Sequence, residues 1–136
     1  MKILLMTPAI VGINPGLTGG EMRFIEIMRG WLDAGHEVHM YTSLGGKNLC
    51  ESLGIQGVTY HIISESAREN RWAFILRTLK ILFSRAKELE KIKFDIVYSP
   101  SEQMYDVIPA WRLKRRWGSQ LKWATVVHWL PPFPPW

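Results

Sequence analysis

Four glycines crowd a short stretch near the start of the chain: Gly12, Gly16, Gly19 and Gly20. A residue without a Cβ lets the backbone approach a ligand closely. The stretch follows an apolar run, Lys2–Thr7, that is closed by Pro8, and it leads into a helical pattern. The unpaired N–H groups at a helix start attract anions such as phosphate. The chemistry suggested is an anion held between a strand and a helix. Two better-known glycine motifs fail on spacing. Gly12-x3-Gly16-x2-Gly19-Gly20 is not G-x-G-x-x-G, and the second strand ends in Tyr41-Thr42-Ser43, with no acid to hold a ribose. Gly46-Lys47 is followed by Asn48, and Tyr41 stands where a P-loop needs its first glycine. The first reading is disfavoured and the second excluded.

Of the four histidines, His128 stands out, because it follows the apolar run Thr125-Val126-Val127 and so falls at the end of a strand. An imidazole there can donate to a sugar hydroxyl or a phosphate oxygen. His36 falls in a turn, and His39 and His61 fall inside strands, where accommodation is the simpler reading. No histidine pair has metal spacing and Cys50 is alone, so no metal site and no disulfide framework are expected. The lone cysteine favours a reducing, cytoplasmic compartment. Ser99 and Ser101 lack a G-x-S-x-G setting, so they are not read as nucleophiles.

Positioning these residues takes alternating elements. Strands are expected at Lys2–Thr7, Glu37–Thr42, Val58–Ile63, Phe94–Ser99 and Trp123–His128. A helix opens at Gly19-Gly20-Glu21, carries Phe24, Ile25, Met28, Trp31 and Leu32 on one face, and ends at Gly35. A short helix falls within Leu44–Gly54. The longest helical pattern covers 68–92, with Trp72, Ile75, Leu76, Leu79, Leu82, Phe83, Ala86 and Leu89 as its core stripe. Another covers Gln103–Trp117, with Pro109 starting its regular part or kinking it. This alternation predicts an α/β fold, a Rossmann-like parallel sheet with helices on both faces. Ligands of such sheets sit outside the carboxyl ends of the strands. That nominates the loops Pro8–Thr18, Ser43–Lys47, Ser64–Ser66 and Pro100–Gln103, and the segment after Val127. Residues 1–130 read as one domain, and 131–136 as a proline-rich tail.

The chain has 136 residues, 47% of them apolar, and a formal net charge of +5. The opening Met1–Met6 is too short for the apolar region of a secretory signal, and no run approaches the ~20 apolar residues of a membrane span. Charge is uneven: net −2 over residues 1–67, +5 over 68–93 and +2 over 94–136. On the long helix, Phe74 and Ile81 lie opposite the expected core stripe, among Arg71, Arg77 and Arg85. An apolar pair ringed by cations suits an anionic membrane surface. Trp111-Arg112-Leu113-Lys114-Arg115-Arg116-Trp117 is a second such cluster. Solvated helix faces are the plainer reading of both. Nucleic-acid binding ranks lower, because no common binding module is present. Trp117, Trp123, Trp129 and Trp136 crowd the last twenty residues. Left bare, they would form an apolar patch able to self-associate.

Taken in order, Lys2-Ile3-Leu4-Leu5, Gly19-Gly20-Glu21, Ala34-Gly35-His36-Glu37-Val38, Asp95-Ile96-Val97-Tyr98-Ser99 and Val126-Val127-His128 resemble the opening of GT-B glycosyltransferases of the retaining group-one (family-four) type. The resemblance covers most of the chain. It implies a two-domain enzyme that moves a sugar from a nucleotide-sugar donor to an acceptor, which in similar enzymes is often lipid-linked. This chain would supply the amino-terminal, acceptor-side domain. The carboxyl-terminal domain, which holds most of the donor, would be missing, so the chain alone is expected to be inactive. By the resemblance, Gly19 and Gly20 match the turn that approaches donor phosphate, and His128 matches the cleft-edge histidine that touches the transferred sugar. Glu21, Ser99, Ser101 and Glu102 stand at the same edge and are assigned to substrate. No metal is required in the family, and no cofactor is expected. The alternative is a non-catalytic Rossmann-like module that recruits a partner chain or an anionic ligand.

Overall fold

A computed structural model describes residues 1–8, 19–63, 75–76, 78–81 and 88–127. Five strands are described: β1 (Lys2–Thr7), β2 (Glu37–Thr42), β3 (Val58–Ile62), β4 (Ile96–Ser99) and β5 (Lys122–Thr125). The helices are α1 (Gly19–Asp33), α2 (Leu44–Ser52) and α3 (Met104–Trp117). Single 3-10 turns cover Leu89–Lys91 and Gly118–Gln120, and residues 75–76 and 78–81 are helical. The strands form one all-parallel sheet in the order β3-β2-β1-β4-β5. The expected α/β, Rossmann-like architecture is therefore present.

The central strand explains the order. In β1, Ile3 to Thr7 are buried without alternation, as a strand covered on both faces must be. Leu5, Val38, Met40 and Tyr98 point to one face and pack under α1 and α2 with Phe24, Ile25, Met28 and Cys50. Leu4, Met6, Tyr41 and Val97 point to the other and pack with Ile81, Leu89, Phe94, Ala110 and Leu113. Helices thus cover both faces. The edge strands β3 and β5 are only partly buried.

Helix α1 buries the expected stripe, and Trp31 meets Tyr98 edge-on at 5.3 Å between ring centroids. Gly35 ends it at φ 74°, where a Cβ would strain the backbone. The amide of His36 donates to Trp31 O and that of Gly35 to Leu32 O, which closes the helix. Pro109 lies buried inside α3, which runs through it.

The long helical pattern corrects the sequence reading. Ile75, Leu76 and Leu79, expected in the core, are 45%, 65% and 45% exposed, whereas Ile81 is 2% exposed and sits in the core. The docked face is the one that holds Ile81, and the Lys80 ammonium donates to the carbonyl of Ile63 at 3.2 Å beside it. A helical stripe says which residues share a side, not which side meets the sheet. Ile81 is therefore not a membrane-facing residue. Arg71, Phe74, Arg77 and Arg85, its expected companions, lie outside the described residues. So do Trp129 and Trp136. Trp117 and Trp123 are half-buried against the core, which removes them from a bare tryptophan patch.

Candidate functional site

The strand order reverses between β1 and β4, so the crevice at their carboxyl ends is the topological switch point of the sheet. Thr7-Pro8 ends one side of it, and Ser99-Pro100-Ser101-Glu102 ends the other. Helix α1 begins at Gly19, after the loop of residues 9–18, which lies outside the described residues. The Gly19 backbone is exposed, and a Cβ built there would meet no atom of the described residues within 4 Å. Packing against the described residues therefore does not require glycine at this position. Gly20 and Glu21 are half-buried in the first turn.

The β4–α3 turn is held by a chain of side-chain bonds. The indole N–H of Trp123 donates to Ser99 Oγ at 3.2 Å, and Ser99 Oγ donates to the carbonyl of Asp106 at 3.3 Å. Ser99 is fully buried, so its hydroxyl braces the turn and does not meet a ligand. Ser101 Oγ donates to Asp106 Oδ2 at 2.5 Å and accepts from the amide of Gln103 at 3.2 Å. Thr125 Oγ1 donates to the carbonyl of Ser101 at 3.3 Å, which ties the turn to β5. Ser101 and Glu102 remain half-buried at the edge.

Asp106 is the residue the sequence reading missed. It lies in the first turn of α3, where an acid ordinarily complements the helix dipole at the surface. Here it is 5% exposed. Burial pushes its carboxyl up to about 7; the Ser101 hydroxyl opposes this and the Glu102 charge adds to it. No local pattern signals such burial, because the turn that covers it comes from β4 and β5.

On the other side of β1, polar groups satisfy one another. Thr42 Oγ1 donates to the carbonyl of Thr7 at 3.2 Å and Thr7 Oγ1 to that of Tyr41 at 3.4 Å. Ser43 caps α2, with its hydroxyl accepting from the amide of Gly46 at 3.2 Å. These bonds fix the β1 and β2 ends as rigid walls of the edge.

His128 lies outside the described residues, directly beyond Val127, which is half exposed. Two other histidines come together away from this edge. His39 Nδ1 lies 2.9 Å from His61 Nε2, and His39 Nε2 lies 2.9 Å from Glu37 Oε1. The rings stack at 5.2 Å, and the edge of Phe94 closes the group. With both rings neutral, His61 donates to His39 and His39 donates to Glu37. Burial, then the neighbouring His39, lowers the His61 pKa. The parallel register of β2 and β3 makes this pair, and neither residue announces it alone. Among the described residues, no group of three or more potential ligands could hold a metal. No helix among them is long and apolar enough to cross a membrane.

Comparisons with protein-family models, curated proteins and solved structures returned no match. The functional reading therefore rests on the fold, the edge and the motif order.

Proposed function

We propose that the chain is the acceptor-side domain of a GT-B-type retaining glycosyltransferase, which moves a sugar from a nucleotide-sugar donor to an acceptor. The observation that carries this reading is the placement of the glycine start of α1 and the braced β4–α3 turn about one switch point. Amides at Gly19 and Gly20 suit donor phosphate oxygens at a helix start. The Glu102 carboxylate and the Ser101 region suit sugar hydroxyls on the opposite wall. Asp106 touches no ligand in this scheme and positions Ser101. His128, beyond β5, takes the place of the group that meets the transferred sugar. The remaining donor contacts belong to a second domain.

Saturation-transfer NMR tests the reading with the diphosphates of uridine, guanosine and adenosine and with a glucosyl disaccharide as probes. Binding of at least one nucleotide and of the disaccharide is expected. Gly20→Val, which adds a branched side chain to the first turn, should weaken the nucleotide at least ~10-fold, a loss of about 1.4 kcal/mol. No binding of any probe, or full binding by a folded Gly20→Val variant, contradicts it.

A further inference from the structure

Strand β3 closes one side of the sheet, and among the described residues its outer edge pairs with no strand. The amide of Ile63 donates inward to the carbonyl of Thr42 at 2.9 Å. Backbone groups alternate in direction along a parallel strand, so Thr59 and His61 also turn theirs toward β2. Val58, Tyr60 and Ile62 therefore present their amides and carbonyls outward. Such a row of donors and acceptors is a template for another strand.

Edge strands ordinarily protect themselves with lysine, proline, a bulge or short length. At the opposite side of the sheet, β5 is four residues long and opens on the exposed Lys122. Strand β3 carries none of these guards. Its five residues keep unbroken register with β2. Residues 52–64 contain no Lys, Arg, Asp, Glu or Pro. Thr59 and Ile62 are exposed, and both are types that favour strands. The Lys47 ammonium lies 5.9 Å from the Tyr60 ring centroid, but Glu51 of the same helix already balances it at 3.7 Å.

The strand fits its own copy. With two copies antiparallel about a two-fold axis at Tyr60, Val58 faces Ile62 of the second copy, Tyr60 faces Tyr60, and Thr59 faces His61. The outward groups of Val58, Tyr60 and Ile62 then form about six hydrogen bonds, two for each opposed pair of this kind. Val58 and Tyr60 pack on the α2 side of the sheet, and alternation puts Ile62 there too. Aromatic thus meets aromatic and β-branched meets β-branched, while a hydroxyl meets an imidazole on the other face. Cross-strand pairs of these kinds stabilise sheets. An isologous interface requires a self-complementary patch, and an uncharged strand meets its copy without repulsion.

We infer that β3 pairs with β3 of a second copy of this chain, antiparallel and centred on Tyr60, so that the two sheets become one. The edge lies two strands away from the switch point. The inference is therefore independent of sugar transfer, and either can fail without the other.

Sedimentation equilibrium of the full chain tests it. The contact is short, so a dimer with a dissociation constant of about 10–100 μM is expected. Ile62→Pro removes an outward amide and no bond to β2, and should weaken the dimer at least ~10-fold. Thr59→Lys, at an exposed position, adds the missing guard and should do the same, which decides the matter should the proline variant fail to fold by circular dichroism. Register is read from a nitroxide on Thr59→Cys, since Cys50 is buried. The two labelled Cα atoms would lie ~8 Å apart, from strand rise and spacing. Dipolar broadening that disappears on dilution with unlabelled chain is expected. A monomer at ~200 μM chain overturns the inference. So does a dimer that either folded variant retains in full, or one without broadening.

Discussion

Replacing Asp106 by Asn should leave stability nearly unchanged at pH 5 and raise it at pH 8. The wild-type carboxyl titrates at about 7 in the folded protein because it is buried, and at about 3.9 in an unfolded chain. A folded pKa raised in this way favours folding fully only below the unfolded value. Stability is lost as pH rises from about 4 and levels off above the folded pKa. Each pH unit of that window is worth ~1.4 kcal/mol. The full loss is therefore about 4 kcal/mol, and about 3 kcal/mol of it falls between pH 5 and pH 8. Asn keeps an oxygen that accepts from Ser101 and carries no charge. Its amide hydrogens enter a site built for a carboxyl, at a cost of about 1 kcal/mol. About 1 kcal/mol of the loss has already occurred by pH 5 and offsets that cost, so wild type and Asp106→Asn should be about equally stable at pH 5, and Asp106→Asn more stable at pH 8 by about 3 kcal/mol. Urea unfolding at the two pH values is the assay. With a slope of ~2 kcal/mol/M, the difference in midpoints should move by about 1.5 M across the range. A difference that moves by less than ~0.5 M, or the opposite way, refutes the reasoning.

The histidine pair predicts an opposite trend. His61 has a lowered folded pKa, so its contribution is full above the unfolded value of about 6.5 and is lost as pH falls below it. His61→Gln, which retains a donor toward His39, should gain on wild type as pH drops from about 7 to 5. A stability difference that stays constant over that range contradicts this. Ser43→Ala removes the cap of α2 and should cost about 1 kcal/mol, read as a lower urea midpoint at unchanged slope. No shift in midpoint would mean that the capping bond contributes nothing.

Much of the fold was legible because its signals are local. Thr7-Pro8, Gly35 and Gly118 punctuate the chain where elements end, and the unbroken apolar run of Lys2–Thr7 matches a strand covered on both faces. The strand ends shifted by up to three residues: β4 begins at Ile96, not Phe94, and β5 begins at Lys122, not Trp123, and ends at Thr125, short of the expected His128. What failed was a choice of side. The pattern over 68–92 offers a broad stripe with Ile75, Leu76 and Leu79 and a narrow one with Ile81. Breadth favoured the first as core; Leu89 of that stripe is buried, but Ile75, Leu76 and Leu79 are exposed and Ile81 is in the core, while Trp72, Leu82, Phe83 and Ala86 lie outside the described residues. The glycine start of α1 and the β4 turn were legible as edge residues from the strand alternation. The roles of Ser99 and Asp106 were not. Both depend on Trp123 and Thr125, which lie more than fifteen residues away along the chain and arrive only through the β4–β5 pairing.

The central claim concerns the switch-point edge, and amide-resolved NMR titration addresses it most directly. The probes are the nucleoside diphosphates and the glucosyl disaccharide. The account predicts that nucleotide perturbs Gly19, Gly20 and Glu21, and that disaccharide perturbs Ser101, Glu102, Val127 and His128. Perturbations confined to α2 and β3, or none at saturating probe, would contradict it.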